Sequence, residues 1–219
     1  MCFSAVSSFS SAVILSSTGA AALHFNRSRS QTPYMVIPLL FAAQQFTEGF
    51  VWTTMADESS FFHKGAVLSF LFFASAFWPA WIPWAIFRME TNKRKRLYLI
   101  PLIGLGLLIL FYATWDLYLA NATAKINQHS IEYCLPDVVN LVSPVIQPWA
   151  YMFASILPFF ISSDRRVKIV GGFMLTSLLM TIAYRHYAMT SVWCFFAAGI
   201  SLFIALPPTL AALKQKQQI

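Results

Sequence analysis

The chain has 219 residues, of which 58% are hydrophobic and only 11% charged, with a net charge of +7 and a mean hydropathy of +0.63. Soluble domains carry about 25% charged residues, so this composition leaves too little polar surface for a water-soluble globule and indicates an integral membrane protein. The positive balance is not a nucleic-acid signature, because the cations gather in a few short loops and neither a basic helix nor an aromatic platform accompanies them.

A membrane-crossing helix needs about 20 mostly apolar residues. Seven segments reach that length, roughly 4–24, 34–55, 66–87, 97–119, 143–163, 167–186 and 191–213. The expected fold is all-α: one seven-helix transmembrane bundle over residues 1–219, with no linker, second domain or internal repeat. The first segment opens with "MCFSAVSSF". It holds no Lys or Arg and runs on without a clear cleavage site, so it reads as a retained helix rather than a secretory signal. Ser7, Ser11, Ser16, Gly19 and Ala20 make it rich in the small residues that let helices approach closely in lipid.

The second segment contains "FAAQQFTEGFVW", residues 41–52. Gln44 and Glu48 are four apart, Gln45 and Glu48 three apart, and Trp52 follows four after Glu48, so these side chains share one helical face. Glu48 lies about 10 Å inside the end of the segment, from seven residues at 1.5 Å each. An ionisable group there costs roughly 2.5–3.5 kcal/mol on insertion scales, so it should face the bundle interior and find a partner. Gly49 allows a helix or a ligand to come close.

The third segment carries "FWPAWIPW", residues 77–84. Its Trp spacing suits an interfacial belt, and Pro79 and Pro83 should bend the helix. The fourth ends in "YATWDLY", which supplies Asp116, and the fifth begins with "SPVIQPWAY", which supplies Gln147, Trp149 and Tyr151. The sixth ends in "AYRHYAM", with Tyr184, Arg185, His186 and Tyr187. Gln44, Gln45, Glu48, Trp52, Asp116, Arg185 and His186 are therefore the candidate ligand-binding residues, with Arg185 the cation that Glu48 and Asp116 would pair with.

Twelve cations, Arg27, Arg29, Arg88, Lys93, Arg94, Lys95, Arg96, Arg165, Arg166, Lys168, Lys214 and Lys216, fall on one side of the seven segments. Lys64, Lys125 and Arg185 fall on the other. The positive-inside rule then places the N-terminus outside and the C-terminus in the cytoplasm.

Cys2, Cys134 and Cys194 all map to the outer side, as do His63, His129 and His186. An oxidising exterior favours one disulfide, Cys134 with either Cys2 or Cys194, and leaves one thiol over. A metal site is the competing reading of the same six residues, since thiolate and imidazole suit zinc or copper. No C-x-x-C, H-x-x-x-H or H-E-x-x-H spacing supports it, so no metal is assigned. Removal of Met1 would expose an N-terminal Cys2, whose amine and thiol together can chelate a metal or attack a carbonyl. The "NAT" at residues 121–123 matches a glycosylation sequon, which has no meaning in a bacterial protein.

The "MCFSA" opening and the "QQxxEGxxW" segment resemble the hallmarks of a family of small, mainly bacterial, seven-helix integral membrane proteins without an assigned activity. The resemblance covers the whole chain. It implies a bacterial inner-membrane location and marks Cys2, Gln45, Glu48, Gly49 and Trp52, but brings no mechanism or cofactor. Better-known seven-helix proteins fit less well. Retinal proteins need a Schiff-base lysine in the last helix, and residues 191–213 contain none. Ceramidase and adiponectin-receptor hydrolases carry zinc on helical histidines, including the last helix, which here has no histidine. A sugar-transporter-like 3+1+3 bundle matches in helix count and orientation alone.

Three functions follow as expectations. The first is a transporter or sensor that takes a small polar molecule or ion from the outer side. The apolar inner halves "MVIPLLF" and "LIPLIGLGLLILF" favour sensing over a through-path. The second is an intramembrane enzyme with Glu48 as general acid or base and either Arg185 or a metal stabilising the developing negative charge. The third is an accessory subunit whose polar stripe only joins helices.

Overall fold

The computed structural model describes residues 4–26, 28–127, 130–135, 146–185 and 189–216; the side chains of Arg185 and of residues 206–216 lie outside that description. The helices are α1 (Ala5–Phe25), the short α2 (Thr32–Met35), α3 (Ile37–Thr54), α4 (Phe61–Leu71), α5 (Trp78–Met89), α6 (Lys93–Leu119), α7 (Ile146–Ile161), α8 (Arg165–Arg185) and α9 (Met189–Lys216). All seven apolar segments of the sequence carry helix. Among the described residues four stretches are long and apolar enough to cross a membrane: Ala5–Phe25, Phe61–Met89, Lys93–Leu119 and Arg165–Tyr184. Ile146–Ile161 is a shorter apolar helix, and α9 is apolar over its fully described part, Met189–Ala205. The fold is all-α apart from a small hairpin, and the protein is a helical membrane protein.

Local chemistry sets the helix ends. Ser4 caps α1 by accepting the Ser7 N–H at 3.2 Å, and Asn92 caps α6 by accepting the N–H groups of Arg94 and Lys95 at 3.0 and 3.3 Å. Pro33 and Pro38 sit in the first turns of α2 and α3, where a missing N–H leaves no gap. Between α4 and α5 the rod widens into a π-helical stretch, Phe72–Phe77. Pro79 follows after Trp78 and has no N–H to offer the preceding turn, which a wider turn accommodates. The shift in register turns Trp78 into the interior, where it is 4% exposed. Trp78 therefore does not belong to an interfacial belt. Trp81 is half-buried and donates its indole N–H to the Pro33 carbonyl at 3.1 Å.

Neighbours in sequence pack as neighbours in space around a ring. α1 lies against α3, α5 against α6, α7 against both, and α8 against α9, which returns to α1 and α3 and closes the ring. The buried face of α1 is Ser8, Ala12, Leu15, Gly19 and Ala22. At Gly19 an added Cβ would meet Leu39 at 2.8 Å, so only a glycine lets α1 and α3 come this close. Gly106 is tighter still, since its Cβ would meet the backbone oxygen of Pro79 at 2.0 Å, and it sets the contact of α6 with α5.

The segment after α6 is not simply a loop. β1 (Thr123–Asn127) and β2 (Ser130–Cys134) pair antiparallel, with Ala124 opposite Tyr133 and Ile126 opposite Ile131. Those four residues share one face. Ala124 and Ile131 are fully buried against Val51, Val67, Leu71 and Leu117. The hairpin covers one end of the bundle; the basic loops occupy the other.

Candidate functional site

The polar residues of α3 point inward. Gln44, Gln45 and Glu48 are each 0% exposed, as the cost of placing such groups against lipid demands. Glu48 accepts two hydrogen bonds from side chains: Gln45 Nε2 donates to Oε2 at 3.2 Å, and the Ser191 hydroxyl of α9 donates to Oε1 at 2.6 Å. The Trp78 indole N–H of α5 donates to Gln44 Oε1 at 2.8 Å. One row on α3 thus joins three helices. Cys194, one turn beyond Ser191, brings its thiol beside Gln44 and within the influence of Glu48. Gln44 Nε2 has no acceptor beyond that thiol, a weak one, and Gln45 Oε1 has no partner. Two buried amide groups in the row keep unmet hydrogen-bonding capacity.

Gly49 serves a helix and not a ligand in this arrangement. Its missing Cβ is replaced by the Phe9 ring of α1, which would lie 2.6 Å away. Phe9 in turn meets Phe46 and Phe50 edge to face.

An apolar cavity of about 30 Å³ adjoins the row, lined by Phe41, Trp78, Tyr151, Phe159 and Cys194 among others. Phe41 and Trp78 stack at 4.0 Å on one side of it. Gln44 is not on its lining, but its hydrogen-bond partner Trp78 is.

The remaining sequence candidates sit elsewhere. Trp52 lies one turn nearer the hairpin, packed in the cluster of Val51, Leu117 and Ile131, with its indole N–H buried and unpartnered. Asp116 adjoins Leu117 at the same level, and its buried Oδ1 is also unpartnered. His63 is buried in α4 and shares a 3.0 Å hydrogen bond with Thr54. The side chain of Arg185, and His186, Cys2 and His129 entirely, lie outside the described residues, so the pairing expected of Arg185 with Glu48 and Asp116 falls there too.

Between the two levels stands Tyr133 of the hairpin. It stacks on Phe70 at 4.7 Å, in a cluster that contains Cys194. Cys134 and Cys194 are not bonded to each other, so the Cys134–Cys194 disulfide is not formed; Cys194 is buried beside Gln44 and Phe70, while Cys134 is half-buried at the strand end. A bond from Cys134 to Cys2 lies outside the described residues. Among the described residues, no three His, Cys, Asp or Glu side chains converge as a metal site would require.

Ser191, Trp78 and Tyr133 are the parts of this site that residue-by-residue reading did not assign to it. Ser191 had no distinguishing signal. Trp78 did, since it follows Phe77 and precedes Pro79 in a run where a π-turn is the natural response to the missing N–H.

These observations define a class: a helical membrane protein with a buried carboxylate row on its second apolar segment, capped at one end by a hairpin. The chain belongs to DUF6629, a family of unknown function, whose model matches residues 1–216. No curated protein and no solved structure matches it.

Proposed function

We propose that the protein binds a small polar molecule or ion in the half of the bundle nearer the hairpin, around Gln44, Gln45 and Glu48, as a transporter or sensor. The observation that carries this reading is the unmet hydrogen-bonding capacity of Gln44 Nε2 and Gln45 Oε1, both buried beside Glu48. Buried polar atoms without partners are rare and call for a reason. A row that only joined helices would engage its amide groups in bonds between them, as polar side chains do in lipid.

In this reading all seven apolar segments cross the bilayer of a bacterial inner membrane, with the N-terminus outside and the C-terminus cytoplasmic, following the distribution of Lys and Arg. The ligand enters from the outer, hairpin side. The apolar lining on the basic side of Gln44 favours sensing over passage, because a polar solute meets Phe41, Trp78, Ile82 and Phe159 beyond the row.

A second reading, a structural row in an accessory subunit, is favoured by the satisfied state of the Glu48 oxygens at 3.2 and 2.6 Å. One experiment separates the two. The purified protein is heated with a panel of amino acids, sugars, carboxylates and monovalent cations, alongside a Gln45→Leu variant. Binding at this row predicts that one solute class raises the unfolding temperature of the wild type and not of the variant. Should every solute leave the wild type unmoved, or raise both proteins equally, the ligand reading fails. Uptake of that solute into proteoliposomes then distinguishes transport from sensing.

A further inference from the structure

The end of the bundle opposite the hairpin collects positive charge from two distant stretches. Lys93, Arg94 and Arg96 open α6, and Arg165, Arg166 and Lys168 open α8; all six side chains are exposed. Glu90 holds the stretches together. Its Oε1 accepts the Asn92 N–H at 2.9 Å, and its Oε2 accepts the Ser163 N–H at 2.6 Å. Lys95 adds a bond from Nζ to the Ser162 carbonyl at 3.3 Å. Two carboxylates stand among these cations. Glu90 is committed to the two N–H groups, and Asp164 Oδ1 accepts the Arg166 N–H at 2.8 Å.

Directly beside this patch, between Met89 and Arg166, a cavity of about 240 Å³ opens, walled by Met35, Val170, Phe203 and Ile204, with Gln31 and Asp164 also on its lining. Phe203 also borders a second groove, of about 410 Å³, between α8 and α9. The hydroxyls of Thr176, Ser177 and Thr181 on its wall all donate to carbonyls of their own helix, at 2.8–2.9 Å. The wall therefore presents hydrocarbon rather than free polar groups. The groove lines α8 from Phe173 to Tyr184, about 16 Å at 1.5 Å per residue, close to the roughly 15 Å of hydrocarbon in one leaflet. Cations beside the first cavity, and an apolar groove on the far side of its Phe203 wall, match an amphiphile with an anionic head.

We propose that this is a binding site for an anionic phospholipid, with its phosphate held by the cations that open α6 and α8 and one acyl chain laid along the α8–α9 groove. The charge complementarity selects the head, and the groove selects the chain. Glu90 is a positioning residue: it touches no lipid and keeps the two basic stretches side by side. This site is independent of the Glu48 row and stands whether or not that row takes a ligand.

Native mass spectrometry of the detergent-solubilised protein, titrated with phosphatidylglycerol or with phosphatidylcholine of identical chains, tests it. The wild type should prefer phosphatidylglycerol. Arg94→Gln and Arg166→Gln should each weaken that lipid about fivefold, the worth of one cation near a lipid surface. Lys125→Gln, on the hairpin, should leave it unchanged. Ile200→Trp, which fills the groove, should weaken both lipids and keep the preference. Glu90→Ala gives a result of diagnostic sign: loss of a negative charge alone would tighten an anion, whereas loss of the juxtaposition weakens it. Equal affinity for the two lipids, an equal effect of Lys125→Gln, no effect of Ile200→Trp, or tighter binding by Glu90→Ala would each overturn the proposal.

Discussion

Among the described residues two glutamates are buried, Glu48 at 0% and Glu90 at 5% exposure, and they are held in opposite ways. Glu90 is gripped by two backbone N–H groups from separate loops, with Lys95 nearby. Glu48 is held by two side chains, an amide and a hydroxyl, with a second amide alongside. Backbone donors in capped loops are fixed. Side-chain donors rotate, and those on α3 leave bonding capacity unused. The contrast separates a carboxylate that builds the fold from one whose surroundings can rearrange around a guest.

The largest effect should come from breaking the fixed one. Glu90→Ala leaves the N–H groups of Asn92 and Ser163 without their charged acceptor. At roughly 1.5–3 kcal/mol for each hydrogen bond to a charged group, a loss of about 3 kcal/mol is expected. The check is the thermal unfolding midpoint in detergent. Glu90→Gln should recover part of it, because one amide oxygen can still accept. An alanine variant as stable as wild type would remove the structural half of the contrast.

Acid offers a gentler break at the same place. Burial pushes the Glu90 carboxyl up, but the N–H groups of Asn92 and Ser163, the Ser163 hydroxyl and Lys95 together outweigh it and hold it below the usual range. A carboxyl with a depressed folded value contributes stability above its unfolded value, about 4.3, and loses it as pH falls through the folded value. Stability should therefore be level with respect to this group from pH 7 to about 5 and decline below about 4. Glu90→Gln should lack that share of the decline, measured as the difference between the two unfolding curves from pH 7 to pH 3.

How far the contrast could be read from the chain itself differs by region. The helices were legible because lipid allows little else: long apolar segments must satisfy their own backbone. The inward turn of Gln44, Gln45 and Glu48 was legible for the same reason. Ser191 was not, because a hydroxyl on α9 finds Glu48 only through the closing of the ring. The hairpin escaped notice although "TAKIN" and "SIEYC" alternate Ala124 and Ile126 with polar residues, and Ile131 and Tyr133 likewise. Two five-residue strands are a weak signal beside a 27-residue helix. The Glu90 staple was the least visible: it rests on backbone N–H groups, one of them 73 residues away at Ser163, and every residue type but proline offers those.

A smaller effect on stability is expected within the row. Trp78→Phe keeps the ring against Phe41 but removes the N–H that Gln44 Oε1 accepts at 2.8 Å. One neutral hydrogen bond contributes about 1 kcal/mol. The unfolding midpoint should fall by correspondingly less than for Glu90→Ala. A fall as large as that of Glu90→Ala would show the row to be as rigid as the loop staple.

Smallest in stability, and sharpest in meaning, is Glu48→Gln. The amide keeps the shape, and its oxygen still accepts from Ser191 at the position of Oε1. The other bond is less secure, since an amide NH₂ now faces Gln45 Nε2 in place of Oε2. Gln45 can answer by rotating its amide by half a turn, which offers its unpartnered Oε1 as acceptor. The net change should stay under about 1 kcal/mol, while the variant can neither ionise nor carry a titrating proton at this position. If the row serves a ligand, binding should drop and its pH dependence should flatten with the fold intact. If the row only joins helices, Glu48→Gln should instead behave like a milder Glu90→Gln, with a shift in midpoint and no solute whose binding changes. That outcome would make both buried glutamates structural, and the difference between them one of geometry rather than of role.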